Sequence, residues 1–281
     1  MPGRLLLLGV LLLTLAACQS IDDSTTSAPA GTSPPDPRGD PATVAFVFDG
    51  DSFEANVGGQ IEEVRLLGIN APEKDECFGD EGRNALDAEL GDGEIVLVAG
   101  GGEDRDDFGR LLRYVWVDGR NVNEAMLFDG HAVAVHGDHP LSDSFSAAGE
   151  EAAFAEIGMW NPAACGPAAR SGIVIAWVEY NPPGPDDEVL NDEYVEIVNE
   201  GSVVVDLAGW TLRDESSQNR YAFDRSLPAG EGVLVRSGCG DDRGEDVYWC
   251  AEHPIWSNGG DTAILQDGHG NVVFWRAYRG G

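Results

Sequence analysis

The chain has 281 residues, with 50 acidic residues against 17 basic ones and a formal net charge of −33. That balance repels polyanions and excludes nucleic-acid binding through a broad basic face; a polyanionic partner needs a local cationic pocket, helped by a metal or by salt. A hydrophobic content of 42% excludes a wholly disordered chain, and the length allows two domains of ordinary size.

The chain opens with Arg4, an apolar run over residues 5–15, and then Leu15-Ala16-Ala17-Cys18. Such a run has the length of a signal-peptide core and is too short to span a bilayer. Leu-Ala-Ala-Cys resembles the lipobox of bacterial lipoproteins. That resemblance implies removal of residues 1–17, a lipid on Cys18, and a location outside the cell at the membrane face. Residues 18–41, rich in Ser, Thr, Pro, Gly and Asp, read as a flexible tether.

Patterning begins at Ala42. Residues 44–48 read as a strand ended by the turn Asp49-Gly50-Asp51, and residues 53–57 and 61–69 as a hairpin about Gly58-Gly59. Residues 81–90 read as a helix, 94–99 and 111–117 as strands, and 121–129 and 142–157 as helices. Five short strands with about three helices suit a Greek-key barrel of OB type over residues 42–165. After the Cys165-Gly166-Pro167 turn the helical period disappears. Short apolar runs at 173–180, 194–198, 233–236, 262–266 and 272–278 recur between Gly, Pro, Asn and Asp clusters, which predicts a β-sandwich over residues 171–279. The fold class is therefore mainly β, in two domains.

Apart from Cys18, the cysteines are Cys77, Cys165, Cys239 and Cys250. Four cysteines allow three pairings, and the domain layout favours Cys77–Cys165 and Cys239–Cys250. The second pair is expected to staple a hairpin.

Hydrolysis of a phosphodiester needs neutralisation of the phosphate, a placed water and a base for that water. Arginine pairs clamp phosphate bidentately, acidic oxygens hold a hard cation, and a nearby Glu directs the water. The chain supplies Asp49-Gly50-Asp51-Ser52, then Arg65-Leu66-Leu67-Gly68-Ile69-Asn70-Ala71-Pro72-Glu73, then Asp106-Asp107-Phe108-Gly109-Arg110, and then residues 122–132 with Asn123, Gly130 and Ala132.

In order and spacing these four segments resemble the staphylococcal nuclease family over residues 42–162. The resemblance implies an OB barrel, calcium, and a nuclease acting on DNA or RNA to leave 3′-phosphates. It casts Arg65 and Arg110 as the phosphate clamp and Glu73 as the base or water orienter. Asp51, Asn70 and the Ala71 main chain would hold the metal, and Phe108 and His136 fall where the substrate is bound. Asn70 stands where the family places a second aspartate, which removes one charge from a calcium site. His131, His136 and His139 fit no common metal spacing and read as solvated loop residues. Residues 171–278, with Asn191-Asp192-Glu193-Tyr194 and Leu207-Ala208-Gly209-Trp210, resemble the lamin tail domain. That resemblance implies an immunoglobulin-like sandwich whose partner is unknown. A monomer is expected. The acidic surface and Asn70 leave a second reading, a cell-surface binding protein with a degenerate nuclease domain.

Overall fold

The computed structural model describes residues 38–280 apart from Asp138, Arg170, Ser171 and Ser217. The expected signal segment, Cys18 and the expected tether as far as residue 37 lie outside the described residues. No helix among the described residues is long and apolar enough to cross a membrane.

Among the described residues, five strands build the barrel of the first domain: β1 (Asp40–Val47), β2 (Ser52–Val57), β3 (Gln60–Leu66), β4 (Glu94–Ala99) and β5 (Leu111–Val117). Their order is β3-β2-β1-β4-β5, and a parallel pairing of β3 with β5 closes the barrel, with Arg65 opposite Leu112. Alternation drives this closure. Phe53 and Ala55 of β2, Val64 and Leu66 of β3, and Ile95 and Leu97 of β4 turn inward, as the two-residue period of a strand requires. Three helices cap the core: α1 (Gly79–Leu90), α2 (Val122–Phe128) and α3 (Ser142–Phe154). They contribute Leu86 and Leu90, Met126 and Leu127, and Phe145 respectively. Asn121 caps α2, its side chain accepting from the Glu124 N–H at 3.0 Å, as helix N-termini favour.

Element edges depart from composition where pairing decides them. β1 begins at Asp40 rather than 44, inside the expected tether, because Asp40 and Pro41 pair with Leu97 and Val96 of β4. The last helix stops at Phe154, short of 157, where Glu156 takes a left-handed conformation with φ 55°.

The second domain contains β6 (Ile173–Glu179), β7 (Tyr194–Asn199), β8 (Thr211–Arg213), β9 (Arg220–Ala222), β10 (Gly232–Arg236), β11 (Asp246–Tyr248), β12 (Gly260–Gln266) and β13 (Val272–Arg279). They form two sheets, β11-β10-β7-β6 and β9-β8-β12-β13. Ile175, Val195, Ile197 and Val235 of the first sheet meet Leu212, Ala263 and Leu265 of the second around Trp210 and Trp256. This is the expected sandwich. Both expected disulfides form, Cys77–Cys165 and Cys239–Cys250. The second corrects one expectation. β11 runs parallel to β10, with Leu234 opposite Asp246, so the bridge spans a loop that returns the chain in the same direction and is no hairpin staple.

The described parts of both domains belong to one compact unit. Val133, Ala152, Ala153, Met159 and Trp160 of the barrel domain share a buried cluster with Ile264 and Val272 of the sandwich. Trp160 and Phe154 both pack on Trp275, at ring-centroid distances of 5.8 and 5.0 Å.

Candidate active site

The turn between β1 and β2 is built by Asp49, whose Oδ1 accepts from the N–H groups of Asp51 at 3.0 Å and Ser52 at 2.7 Å. This side-chain turn points Asp51 into the barrel mouth. Gly50 is required there, because a Cβ would lie 2.6 Å from the Ala71 Cβ. Asp51 is buried, and its Oδ2 accepts from the Ala71 N–H at 2.6 Å and lies 3.1 Å from Arg65 Nη2. Burial pushes the Asp51 carboxyl up to about 7, against the opposing pull of Arg65.

Arg65 is fixed by the register that sets it opposite Ser52. Its Nη1 donates to the carbonyls of Leu66 at 3.0 Å and Ile69 at 2.8 Å, and its Nη2 to Asn70 Oδ1 at 2.9 Å. Asn70 is held by a two-residue strand, Ile69–Asn70, paired with Val133–Ala134. Asp51, Arg65, Asn70 and Ala71 thus form one bonded set. The amide oxygen that would face a cation is shared with the arginine.

Glu73 is exposed, just beyond this set. Partial desolvation, with the Asp49 carboxylate next, pushes its carboxyl up, and Arg65 works in the opposite direction. Its loop is held from behind. The Glu73 N–H donates to Glu76 Oε2 at 3.1 Å, the Glu76 N–H returns to the Glu73 carbonyl at 2.9 Å, and Arg220 of the sandwich donates to Glu76 Oε1. Gly79 lets α1 start against this loop, since a Cβ there would meet the Glu73 carbonyl. Cys77, bridged to Cys165, ties the same loop to the end of the domain, where the Cys165 N–H donates to Asn271 of the sandwich at 2.8 Å.

Arg110 enters β5 two residues before Leu112, the parallel partner of Arg65. Its Nε donates to Asp106 Oδ2 at 2.7 Å, and its guanidinium lies 5.4 Å over the exposed Phe108 ring. Burial raises the Asp106 carboxyl, but the bonds from Arg110 outweigh it and hold it below the usual range.

His136 is not brought to this set. Its Nδ1 lies 2.7 Å from Glu215 Oε2 and its N–H donates to Glu215 Oε1 at 2.6 Å, with both side chains buried between the domains. The other two histidines are not solvated loop residues either. His131 stacks on Phe78 with centroids 5.5 Å apart, and His139 Nδ1 lies 2.7 Å from the Tyr114 hydroxyl. Packing onto the barrel, and for His136 onto the sandwich, which spacing does not encode, leaves all three half-buried. Sequence reading also passed over Glu76 and Arg220. Glu76 carried a weak signal in its spacing of three from Glu73; Arg220, 144 residues further on, carried none.

A family model described as Staphylococcal nuclease homologue matches residues 63–162, and one described as Lamin Tail Domain matches residues 166–280. Protein ParB of Escherichia coli is 33% identical over 129 residues, covering 42% of this chain and 71% of ParB. The chain belongs to the staphylococcal nuclease homologues. Behind its nuclease domain it carries a lamin tail domain. SPbeta prophage-derived endonuclease YokF of Bacillus subtilis (strain 168) is 30% identical over 128 residues, 42% of this chain and 43% of YokF. The thermonuclease of Staphylococcus intermedius is 29% identical over 163 residues, 54% of this chain and 95% of that enzyme. The chain spans about half the length of two of its relatives, 43% of YokF and 59% of an uncharacterized Bacillus anthracis protein.

Among the described residues, no group of three or more His, Cys, Asp or Glu side chains gathers as a metal-binding set. The donors around Asp51 are nevertheless hard oxygens, a buried carboxylate and the Asn70 amide, which is the chemistry a calcium ion takes. A buried carboxylate pushed up to about 7 gains by meeting a cation. The set fits calcium, with one fewer charge than two carboxylates would give.

Proposed function

We propose that this chain is a calcium-dependent nuclease that hydrolyses phosphodiester bonds of DNA or RNA, exported and anchored by a lipid on Cys18. The observation that carries the reading is the bonded set of Asp51, Arg65 and Asn70, with the Glu73 carboxylate at its edge. Arg65 and Arg110 neutralise the phosphate oxygens, with Phe108 beside Arg110 as an exposed ring for the substrate. Glu73 takes a proton from the attacking water, a role helped by a carboxyl raised above its ordinary range. Asp51, Asn70 and the Ala71 main chain would hold a calcium ion, which would supply further charge neutralisation when bound. His136 has no part in substrate binding in this reading. The nuclease names of YokF and the Staphylococcus intermedius enzyme support the reaction class; the lipobox supports export and anchoring.

A digestion assay on single-stranded and duplex DNA and on RNA, with calcium or with chelator and across a salt series, tests the reading. Glu73→Ala and Arg110→Ala are each expected to lower kcat by about 100-fold or more. Unchanged cleavage in either variant refutes its role. The absence of any calcium-dependent cleavage by the parent chain favours the second reading, a binding protein with a degenerate nuclease domain, for which Asn70 and its bond to Arg65 speak. Radiolabelled lipid incorporated by the parent but not by Cys18→Ser checks the anchor.

A further inference from the structure

On one flank of the nuclease set lies a groove of about 490 Å³ lined by Phe46, Phe48, Asp49, Lys74, Asp80 and Arg83, within the range of roughly 300–1,000 Å³ common for ligand sites. Three separate segments build it. Phe46 and Phe48 come from the end of β1 and the turn after it, Arg83 from α1, and Lys74 from the loop that carries Glu73. Phe46 sits at the irregularity in the pairing of β1 with β2 and is 51% exposed, a large apolar ring facing solvent. Phe48 packs edge-on against it at 5.2 Å. The Arg83 guanidinium lies 5.8 Å over the Phe46 ring, with its Nε donating to the Val47 carbonyl at 3.0 Å.

The charge pattern identifies the occupant. Lys74 is the only lysine in a chain of net charge −33. Most other arginines are ion-paired to acids, among them Arg65, Arg105, Arg110, Arg113, Arg120 and Arg236. Among the described residues, neither Lys74 nor Arg83 makes an ion pair within 4 Å. Asp49, which also accepts from Ser52 and the Asp51 N–H, and Asp80 are the two carboxylates that share the groove with these cations. A half-exposed ring for a base and two cations without an ion pair for a flanking phosphate, on an otherwise strongly acidic surface, match single-stranded nucleic acid. Asp49 belongs both to this groove and to the turn that sets Asp51, and Lys74 follows Glu73, so a strand with its scissile phosphate at Arg65 passes along it.

We propose that the groove of Phe46, Phe48, Lys74 and Arg83 is a subsite for a base and its phosphate next to the scissile bond of a single strand, an inference that rests on the nuclease reading. Full-length chain is assayed on a twelve-nucleotide thymidine strand and on an abasic strand of equal length, with binding followed by anisotropy of the labelled strands. Phe46→Ala is expected to raise KM on the thymidine strand by about 10-fold, leaving kcat and the abasic strand unchanged, and Phe46→Tyr to restore KM. Lys74→Gln is expected to weaken binding of both strands and to lower the salt slope by about one. Cleavage by the parent with the same KM and the same preference for bases in Phe46→Ala overturns the subsite. A parent that binds the strands without cutting them defeats the nuclease reading instead. Phe46-dependent binding in that case keeps the subsite.

Discussion

Replacing Arg220 by alanine tests whether the lamin tail domain acts on the nuclease chemistry. Arg220 reaches across the domain boundary to Glu76, whose other oxygen accepts from the Glu73 N–H. The two side chains are 31% and 25% exposed. A shielded bond to a charged group contributes about 1.5–3 kcal/mol and an exposed ion pair about 0.2–1 kcal/mol, so this pair contributes about 1 kcal/mol. Arg220 also repels the buried Arg213, whose pKa is depressed to about 10 by burial first and by Arg220 second. Removing Arg220 relieves that repulsion, so the net loss of stability is under about 1 kcal/mol. Glu76 already pushes the Glu73 carboxyl up, and without Arg220 its charge is uncompensated. The acid limb of the pH profile of kcat/KM is expected to move to higher pH, because the base must be ionised to act. Loosening of the Glu73 loop is expected to lower kcat about 5-fold with little change in KM. Arg220→Lys, which keeps the charge, is expected to hold the limb in place. A lower Tm with an unmoved acid limb and unchanged kcat refutes the coupling and leaves the sandwich a passive neighbour.

Three further outcomes follow from the same geometry. Asp51 is raised in the folded chain from 3.8 to about 7, so in calcium-free protein its contribution to stability is present below the lower value and lost as pH rises through the upper one. Asp51→Asn is therefore expected to be the more stable calcium-free chain at pH 8, and the gap to vanish near pH 4 in thermal melts. Glu215→Ala leaves the N–H and ring of His136 without their acceptor between the domains and is expected to cost about 2–5 kcal/mol in denaturant titration, with kcat per folded molecule unchanged. Cys77 and Cys165 are 88 residues apart and Cys239 and Cys250 are 11 apart. In the chain-entropy model, paired serine substitutions then cost about 4.6 and about 2.8 kcal/mol respectively, an order that equilibrium unfolding of the two variants checks.

What the sequence determined by itself is what short-range chemistry encodes. Alternation at Phe53, Ala55, Ile95 and Leu97 marked barrel strands, because a strand's two faces meet different solvents. The Asp49-Gly50-Asp51-Ser52 turn is written in a side chain that bonds its own backbone, and so is the Asn121 cap. The spacing from Arg65 to Glu73 was legible because one strand end and one loop hold the whole set. Only the tertiary structure decided which distant surfaces meet. It took His136 away to Glu215, brought Arg220 to Glu76, and set Phe46 beside Arg83 and Lys74. Periodicity reports that Val133, Trp160 and Val272 are apolar, but not that they bury one another. Burial is non-directional, and the partner of an apolar face is chosen by how two folded domains fit, which no local pattern contains.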